Sequence, residues 1–257
     1  VVVNDLGGAR DGTGSSVGAA QTVVDAIVAA GGTAVANTSD VSTVEGGKAI
    51  LATALEAFGK VDILVNNAGI LRDKTFAKTS EEDWDVVVKV HLKGTYCCTF
   101  PVWNWLKENN HPGVIIMTSS TSGLYGNFGQ SNYGAAKAGI YGFMRVLALE
   151  GARYNIRVMG LAPGALTRMT ADLPGMQGRE TNPMSLPENI APTVLFMASD
   201  LASEHTGKVL AASARGVAEI KMVQTKGFRS ETPYTAEDVA EHAEQIFFPS
   251  SVERVLS

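Results

Sequence analysis

The sequence contains little of what builds a disulfide-stabilised or membrane-spanning protein. Only two of its 257 residues are cysteines, Cys97 and Cys98, and they are adjacent. Adjacent cysteines cannot join distant parts of a fold, so we expect a reducing compartment such as the cytoplasm. No apolar run reaches the roughly 18 residues that a membrane-spanning helix needs.

An excess of positive charge is also absent. Twenty-six Asp and Glu residues outnumber 21 Lys and Arg residues, giving a formal net charge of -5 and a pI near 5.4. This balance offers no electrostatic reason to expect nucleic acid or an anionic membrane as a partner. We therefore expect a small-molecule substrate, and we predict no metal ligand.

Glycine, in contrast, is frequent at 27 residues, as expected for a fold with many tight strand-to-helix turns. Apolar runs of strand length alternate with segments of helical spacing. Strands are predicted at residues 1–3, 34–36, 61–65, 114–117, 156–161 and 209–212. Helices are predicted at residues 16–30, 43–58, 81–107, 133–154 and 187–198. This alternation favours an α/β fold with a doubly wound parallel sheet.

The chain shows no repeat and no linker within residues 1–226, which we predict to form one domain. Residues 227–257 differ, because a loop at 227–233 is followed by a charged amphipathic helix at 236–248. We interpret this segment as a C-terminal helical extension packed against the domain. A partly mobile surface tail is the alternative.

Residues 113–142 hold the strongest chemical pattern. A buried strand leads to Ser119 and Ser120, and a glycine-rich loop then precedes a helix that starts at Tyr133. Tyr133 and Lys137 are four residues apart, so they project from the same helical face. Tyr-x-x-x-Lys alone is a weak pattern, but a serine thirteen residues before the tyrosine makes it specific. A phenol, an ammonium and a hydroxyl together suit redox chemistry between a hydroxyl and a carbonyl group.

This order of residues resembles the short-chain dehydrogenase/reductase family, whose fold is Rossmann-type. The resemblance implies that Tyr133 takes the alcohol proton, with a pKa lowered by Lys137 and by the positive nicotinamide ring. Ser120 would bind the substrate oxygen, and Ser119 is one residue away from the family spacing. Lys137 would also hold the nicotinamide ribose beside Tyr133. The alternative is a buried tyrosine and a surface lysine on an ordinary helix.

The cofactor-binding residues follow from strand ends. Asp5 ends the first strand, where a nucleotide-binding sheet places an acid that accepts hydrogen bonds from the adenosine ribose. The same carboxylate would repel the 2′-phosphate of NADP, so NAD is the expected cofactor. Asp40 resembles the acid that contacts adenine in this family. Both carboxylates could instead serve only as caps or turn formers.

Two further strand ends resemble cofactor contacts of the family. Asn66-Asn67-Ala68-Gly69 follows the strand at 61–65, and small residues there let the backbone approach a dinucleotide. Ala162-Pro163-Gly164 ends the strand at 156–161. The predicted cofactor contacts at these ends are Asn67, Ala68, Gly69, Pro163, Gly164 and Thr167, of which Thr167 would contact the carboxamide.

His91 departs from the family pattern, in which an asparagine kinks the helix and anchors a proton-relay water. Imidazole can also accept, donate and relay a proton, so we count His91 among the catalytic candidates. The alternative is a satisfied core histidine. His91 and the segments at 67–76, 83–85 and 125–130 resemble the (3R)-hydroxyacyl-CoA dehydrogenase domain of multifunctional β-oxidation enzymes. That resemblance spans residues 1–170.

The resemblance implies an NAD-dependent enzyme that converts a (3R)-hydroxyacyl thioester to its 3-oxo form. The alternatives are a 3-oxoacyl carrier-protein reductase that uses NADPH and an inactive binding or scaffold protein. By analogy with the family, we expect a homodimer or homotetramer formed through the helices at 81–107 and 133–154. A peroxisomal location is implied if the chain is part of a larger multifunctional protein. Residues 173–187 would form an apolar substrate lid.

The family's first strand and its Gly-rich pyrophosphate turn are not found in the sequence. In a doubly wound order that strand lies between the strands at 1–3 and 61–65, so its absence would leave a gap in the sheet. We therefore expect roughly 30 further residues upstream of Val1. Intact-mass measurement checks this expectation, because a mass of 27.0 kDa with Val1 at the terminus would contradict it.

Overall fold

A computed structural model describes residues 1–9, 11–14, 18–165 and 182–249. It divides into a large unit, Val1–Ile220, and a small unit that begins at Lys221. The small unit contains two short helices, and the Thr225 hydroxyl donates a hydrogen bond to the Ile246 carbonyl within it. The domain boundary that we placed at residue 226 stays a prediction.

The strands of the large unit form two sheets. The first pairs β1 with β2 in parallel, and the second has the order β3-β4-β5-β6-β7. Neighbouring strands are parallel from β3 to β6, whereas β7 is antiparallel to β6. Their bounds are β1 Val2–Asn4, β2 Val35–Asn37, β3 Ile63–Asn66, β4 Gly113–Thr118, β5 Ile156–Pro163, β6 Val209–Ser213 and β7 Gly216–Ile220. The predicted α/β fold with a parallel central sheet is thus confirmed, and β7 is an antiparallel edge strand that we did not predict.

The expected interruption of the sheet is present. Within the described residues, no backbone pairing joins β1 to β3. Ile63 and Val65 of β3 are 45% and 43% exposed, although they are the apolar residues of a strand. Every residue of β4, in contrast, is buried. In this structure β3 is therefore an edge strand.

Nine α-helices are described, and most of their bounds follow the predicted ones. The helix predicted at residues 236–248 is instead divided into two short helices, and a short helix after β4 was not predicted. The nine helices are α1 Gly18–Ala29, α2 Val44–Phe58, α3 Glu81–Val88, α4 Gly94–Glu108, α5 Thr121–Leu124, α6 Ser131–Gly151, α7 Ala191–Ala198, α8 Ala236–Glu241 and α9 Ala243–Ile246. In the described part of the chain, none of these helices is long and apolar enough to cross a membrane.

The long helical region that we predicted at residues 81–107 is confirmed, and it contains a π turn that we did not predict. A π-helical turn, Lys89–Lys93, separates α3 from α4, and His91 lies in its middle. A π turn inserts one extra residue into the helical repeat, which redirects the side chains that follow. Hydrophobic spacing does not reveal such an insertion, because the apolar face continues on both sides of it.

The core forms on both faces of β4. Ile115 and Met117 pack in one cluster with residues of α6 such as Met144, whereas Ile116 packs on the other face with Met197 of α7. Successive strand residues point to opposite faces, so one strand supplies both clusters. Burying such a side chain contributes roughly 1.5–3 kcal/mol. This packing holds the carboxyl end of β4 in place beneath the candidate site.

Two glycines on helices predict opposite effects of adding a methyl group. A Cβ at Gly47 of α2 would lie 1.9 Å from the Cys97 carbonyl oxygen of α4, whereas a Cβ at Gly142 of α6 meets no atom within 4 Å. We expect Gly47→Ala to lower the free energy of unfolding by about 1–3 kcal/mol through overpacking. Gly142→Ala should raise it by about 0.5–1 kcal/mol, because alanine loses less backbone entropy. Urea denaturation measures both, and equal effects would contradict the close packing of α2 on α4.

Candidate active site

The site lies at the edge of the sheet where the parallel strands end. β3, β4 and β5 end at Asn66, Thr118 and Pro163, and parallel strands place these ends on the same side. Ser120 is the second residue after β4 and caps the short helix α5, accepting a hydrogen bond from the Ser122 amide. Helix α6 then brings Tyr133 back to the same edge.

Lys137 is buried and anchored to β4. Its Nζ donates a 2.6 Å hydrogen bond to the Thr118 carbonyl and lies 5.6 Å from the centre of the Tyr133 ring. Burial lowers the pKa of Lys137 to about 7. The Ser119 hydroxyl donates to the Lys137 carbonyl at 2.9 Å. Ser119 thus ties α6 to the end of β4, which leaves Ser120 as the serine beside the phenol.

Burial raises the pKa of Tyr133, and the negative charge of Asp73 adds to that rise. The Ser120 side chain opposes it, which places the Ser120 hydroxyl near the phenol. The lowered pKa that we expected depends in part on the positive nicotinamide ring and stays a prediction, whereas without that ring Lys137 does not outweigh burial. The reason is that Lys137 directs its charge to a backbone carbonyl, and desolvation of the phenol dominates.

His91 lies against Tyr133 from the other side. The two rings meet edge to face, with centroids 5.1 Å apart, and His91 is 2% exposed. Its Nε2 is 2.7 Å from the Ile70 carbonyl oxygen, whereas Nδ1 has no hydrogen-bond partner among the described residues. Burial, together with the positive charge of Lys137, lowers the pKa of His91 to about 3. In the tautomer protonated at Nε2, this atom donates to the Ile70 carbonyl and Nδ1 is a buried acceptor. In the other tautomer, Nε2 accepts from the Ile70 amide at 3.1 Å and Nδ1 is a buried donor.

The segment after β3 packs closely on this histidine. A Cβ at Gly69 would lie 2.3 Å from Cε1 of His91, so only glycine fits there. Asn67 accepts a 3.2 Å hydrogen bond from the Thr118 hydroxyl, which links the ends of β3 and β4. Ala68 is exposed at the same edge. This arrangement leaves the backbone of residues 67–69 accessible to a ligand above the sheet.

The other predicted cofactor contacts are distributed more widely. Asp5 follows β1 and accepts a 2.7 Å hydrogen bond from the Gly7 amide, and Asp40 accepts a 2.8 Å bond from the Ser42 amide. Both carboxylates therefore have a turn-forming role in this structure. Pro163 ends β5, and the Gly164 amide donates to the Ala212 carbonyl of β6 at 2.8 Å. Thr167 and most of the predicted lid at 173–187 lie outside the described residues.

Sequence reasoning assigned no role to three polar residues near Tyr133. The Gln130 amide donates to the Asp73 carboxylate at 2.7 Å, and the Asn132 side chain accepts from the Tyr133 amide at 2.7 Å. Asp73 and Gln130 occur in the segments that carried the resemblance, and Asn132 directly precedes the tyrosine. These positions were the only signal that could have drawn attention to the three residues. The bond between Gln130 and Asp73 joins residues 57 positions apart, which no sequence pattern shows.

The sequence and the structure of the chain were compared with those of known proteins. A family model described as short chain dehydrogenase matches residues 12–177, which is more than half of the chain. The chain belongs to the short-chain dehydrogenase family. It is therefore an oxidoreductase by family, and this family uses a nicotinamide cofactor, NAD or NADP.

Similar proteins extend this assignment along nearly the whole chain. The short-chain type dehydrogenase/reductase Rv0148 of Mycobacterium tuberculosis is 45% identical over 242 residues, covering 93% of this chain and 82% of that protein. Peroxisomal multifunctional enzyme type 2 of Drosophila melanogaster is 47% identical over 228 residues, covering 88% of this chain but 37% of that protein. A short chain dehydrogenase structure from Mycobacterium avium superposes with a TM-score of 0.82 at 38% identity, covering 96% of this chain and 87% of that one.

The buried His91 predicts an acid-sensitive fold. Its pKa is about 3 in the folded protein and near 6.5 in an unfolded chain, so the unfolded state binds more protons between these values. Stability contributed by His91 is therefore present above pH 6.5 and is lost as the pH falls towards 3. The slope is at most about 1.4 kcal/mol per pH unit.

Thermal melting between pH 4 and pH 7 tests this prediction. His91→Asn should melt with a smaller dependence on pH than the wild type, whatever its stability at pH 7. His205→Asn removes an exposed imidazole and should retain the wild-type slope. Identical slopes in all three proteins would show that His91 is not held neutral by the fold.

Proposed function

We propose that this chain oxidises a (3R)-hydroxyacyl thioester to the 3-oxoacyl thioester, with NAD as the hydride acceptor. The observation that carries the proposal is that Lys137 and His91 both lie against Tyr133 at the end of β4, where the Ser120 side chain acts on the phenol. A hydroxyl group of the substrate can meet both oxygens at one point. The family assignment makes this chemistry redox rather than hydrolytic.

The residues present fit a nicotinamide cofactor. Gly69 and the exposed Ala68 have no large side chain above the ends of β3 and β4. A planar nicotinamide ring can therefore approach the backbone there. The Lys137 ammonium provides a buried cation beside Tyr133 that could also donate to a ribose hydroxyl. When bound, the cofactor supplies the hydride acceptor.

In the oxidation direction, the phenolate form of Tyr133 would take the proton of the substrate hydroxyl while the hydride leaves the carbon for the nicotinamide. Ser120 donates a hydrogen bond to the substrate oxygen and stabilises its developing charge. Because burial raises the pKa of Tyr133, the phenol is protonated at neutral pH in this structure. A protonated phenol is the form needed for the reverse reaction, in which Tyr133 donates a proton to the carbonyl oxygen.

Buried polar groups around Tyr133 can carry its proton onward. Lys137, with a pKa of about 7, can gain or lose a proton near neutrality, and Nδ1 of His91 can accept a hydrogen bond. We propose that His91 takes the place that an asparagine has in most of the family. This role would explain why Nδ1 of His91 is buried without a partner among the described residues. A buried polar atom without a partner otherwise lowers the stability of the fold.

The substrate and cofactor parts of the proposal have separate supports. The acyl thioester rests on the similarity to a peroxisomal multifunctional enzyme, of which this chain spans about a third, and on His91. NAD rests on Asp5, whose carboxylate at the end of β1 would repel a 2′-phosphate. Asp40 remains the candidate for contact with adenine.

We also propose a homodimer or homotetramer that pairs α4 and α6 of neighbouring chains. The support is the apolar surface that these helices expose. Phe100 of α4 is 48% exposed and Leu149 of α6 is 78% exposed. Such side chains lose contact with water when two chains associate.

Replacing the phenol tests the proposed chemistry. Tyr133→Phe should lower kcat for NAD-dependent oxidation of a 3-hydroxyacyl-CoA by about 100-fold or more, since general base catalysis contributes that much. Tyr141→Phe, two turns further along the same helix, serves as the matched control and should retain activity. The measurement is NADH absorbance with 3-hydroxyacyl-CoA, steroid and sugar alcohols as a substrate panel.

Other outcomes would favour the alternatives. A preference for NADPH and 3-oxoacyl carrier protein would support the reductase instead. If NAD does not shift the melting temperature and Tyr133→Phe changes no rate, the chain is better described as an inactive binding protein.

A further inference from the structure

The start of α6 is held in an unusual way. The first amides of a helix lack partners within the helix and are commonly capped by the side chain before it. Gln130 occupies that position but makes no such bond. Its side chain instead donates to Asp73 and accepts from Asn127. The Tyr133 amide is therefore left to another acceptor.

Asn132 supplies that acceptor. Its Oδ1 receives the hydrogen of the Tyr133 amide at 2.7 Å, and the residue is only 1% exposed. A side chain that bonds the amide of the next residue restricts the peptide between them. This peptide determines the direction in which the Tyr133 side chain leaves the helix.

The other end of the same side chain reaches two different elements. Nδ2 of Asn132 donates to the Arg72 carbonyl at 3.2 Å and to the Asp83 carbonyl at 3.1 Å. Arg72 lies in the loop after β3, and Asp83 lies in the first turn of α3. Both amide hydrogens and the oxygen of Asn132 thus have partners, as a buried amide requires.

The two carbonyls belong to a well-anchored part of the structure. The Asp83 carboxylate accepts a hydrogen bond from the Lys74 ammonium at 2.5 Å and also bonds the Ser80 amide in a capping box. Arg72 makes ion pairs with Asp83 and with Glu82. Asn132 therefore connects the tyrosine peptide to a cross-linked loop and helix.

We propose that Asn132 is a positioning residue, which holds the Tyr133 phenol at the distance from Ser120 and His91 that proton transfer needs. The inference rests on the proposed function, because it assigns Tyr133 the proton transfer. Asn132 does not touch the reacting atoms. It acts by restricting the backbone from which the phenol extends, and a displacement of about 1 Å can reduce a rate 100-fold.

Two substitutions distinguish the roles of Oδ1 and Nδ2 of Asn132. Asn132→Ala removes the acceptor and both donors. Asn132→Asp keeps an acceptor for the Tyr133 amide but places negative oxygens against the carbonyls of Arg72 and Asp83. Asn127→Ala is the matched control, because it removes an exposed amide of the loop before α6 that bonds the Gln130 side chain and not the Tyr133 amide.

Amide hydrogen exchange tests the hydrogen bond from the Tyr133 amide to Asn132 without requiring enzymatic activity. We expect the Tyr133 amide to exchange at least 10-fold faster in Asn132→Ala than in the wild type, and to stay protected in Asn127→Ala. Asn132→Asp should retain most of the protection. Equal exchange in the wild type and Asn132→Ala would overturn the proposal, even if no substrate is turned over by the wild type. A wild type without turnover would contradict the proposed function instead.

Kinetics then separate positioning from a general loss of stability. Asn132→Ala and Asn132→Asp should each lower kcat by about 10-fold to 100-fold at an unchanged affinity for NAD. In a Tyr133→Phe background, Asn132→Ala should lower kcat no further, although its effect on the melting temperature should persist. Additive losses of kcat in the double variant, or a lower melting temperature with normal kcat, would overturn the positioning role.

Discussion

The site depends on the burial of the Lys137 side chain against the end of β4. The hydrogen bond from Nζ to the Thr118 carbonyl attaches α6 to the central strand one turn after Tyr133. The bond from Ser119 to the Lys137 carbonyl attaches the same helical turn a second time. The two bonds place the phenol over the carboxyl ends of the strands. Without them, the helix and the strand would present the same residues without a common site.

Burial also decides the electrostatic state of the site. It lowers the pKa of Lys137 and of His91, and it raises the pKa of Tyr133, so all three shifts favour the neutral form. A proton that moves from the neutral phenol to a neutral neighbour creates two opposite buried charges, which are costly unless they are paired. A bound positive ring would offset part of that cost by favouring the phenolate.

Much of the fold could be predicted because it depends on local patterns. Apolar runs located β4 and β5, and turn residues located the ends of most helices. The π turn around His91 and the antiparallel β7 were missed, since neither changes the local pattern of apolar residues. The effect of burial on the pKa of Tyr133 could not be read from the sequence either, because a spacing of four residues does not show where a lysine directs its charge.

By itself, the sequence determined the chemistry that is possible, since the order Ser120, Tyr133 and Lys137 on a strand and a helix predicts both the family and the reaction type. Only the tertiary structure decided how these groups are held. The bonds of Asn132 to Arg72 and Asp83 join residues about 50 to 60 positions apart, and burial of His91 depends on its packing against Gly69. Such contacts have no local signature, because desolvation and hydrogen bonding depend on which surfaces meet after folding.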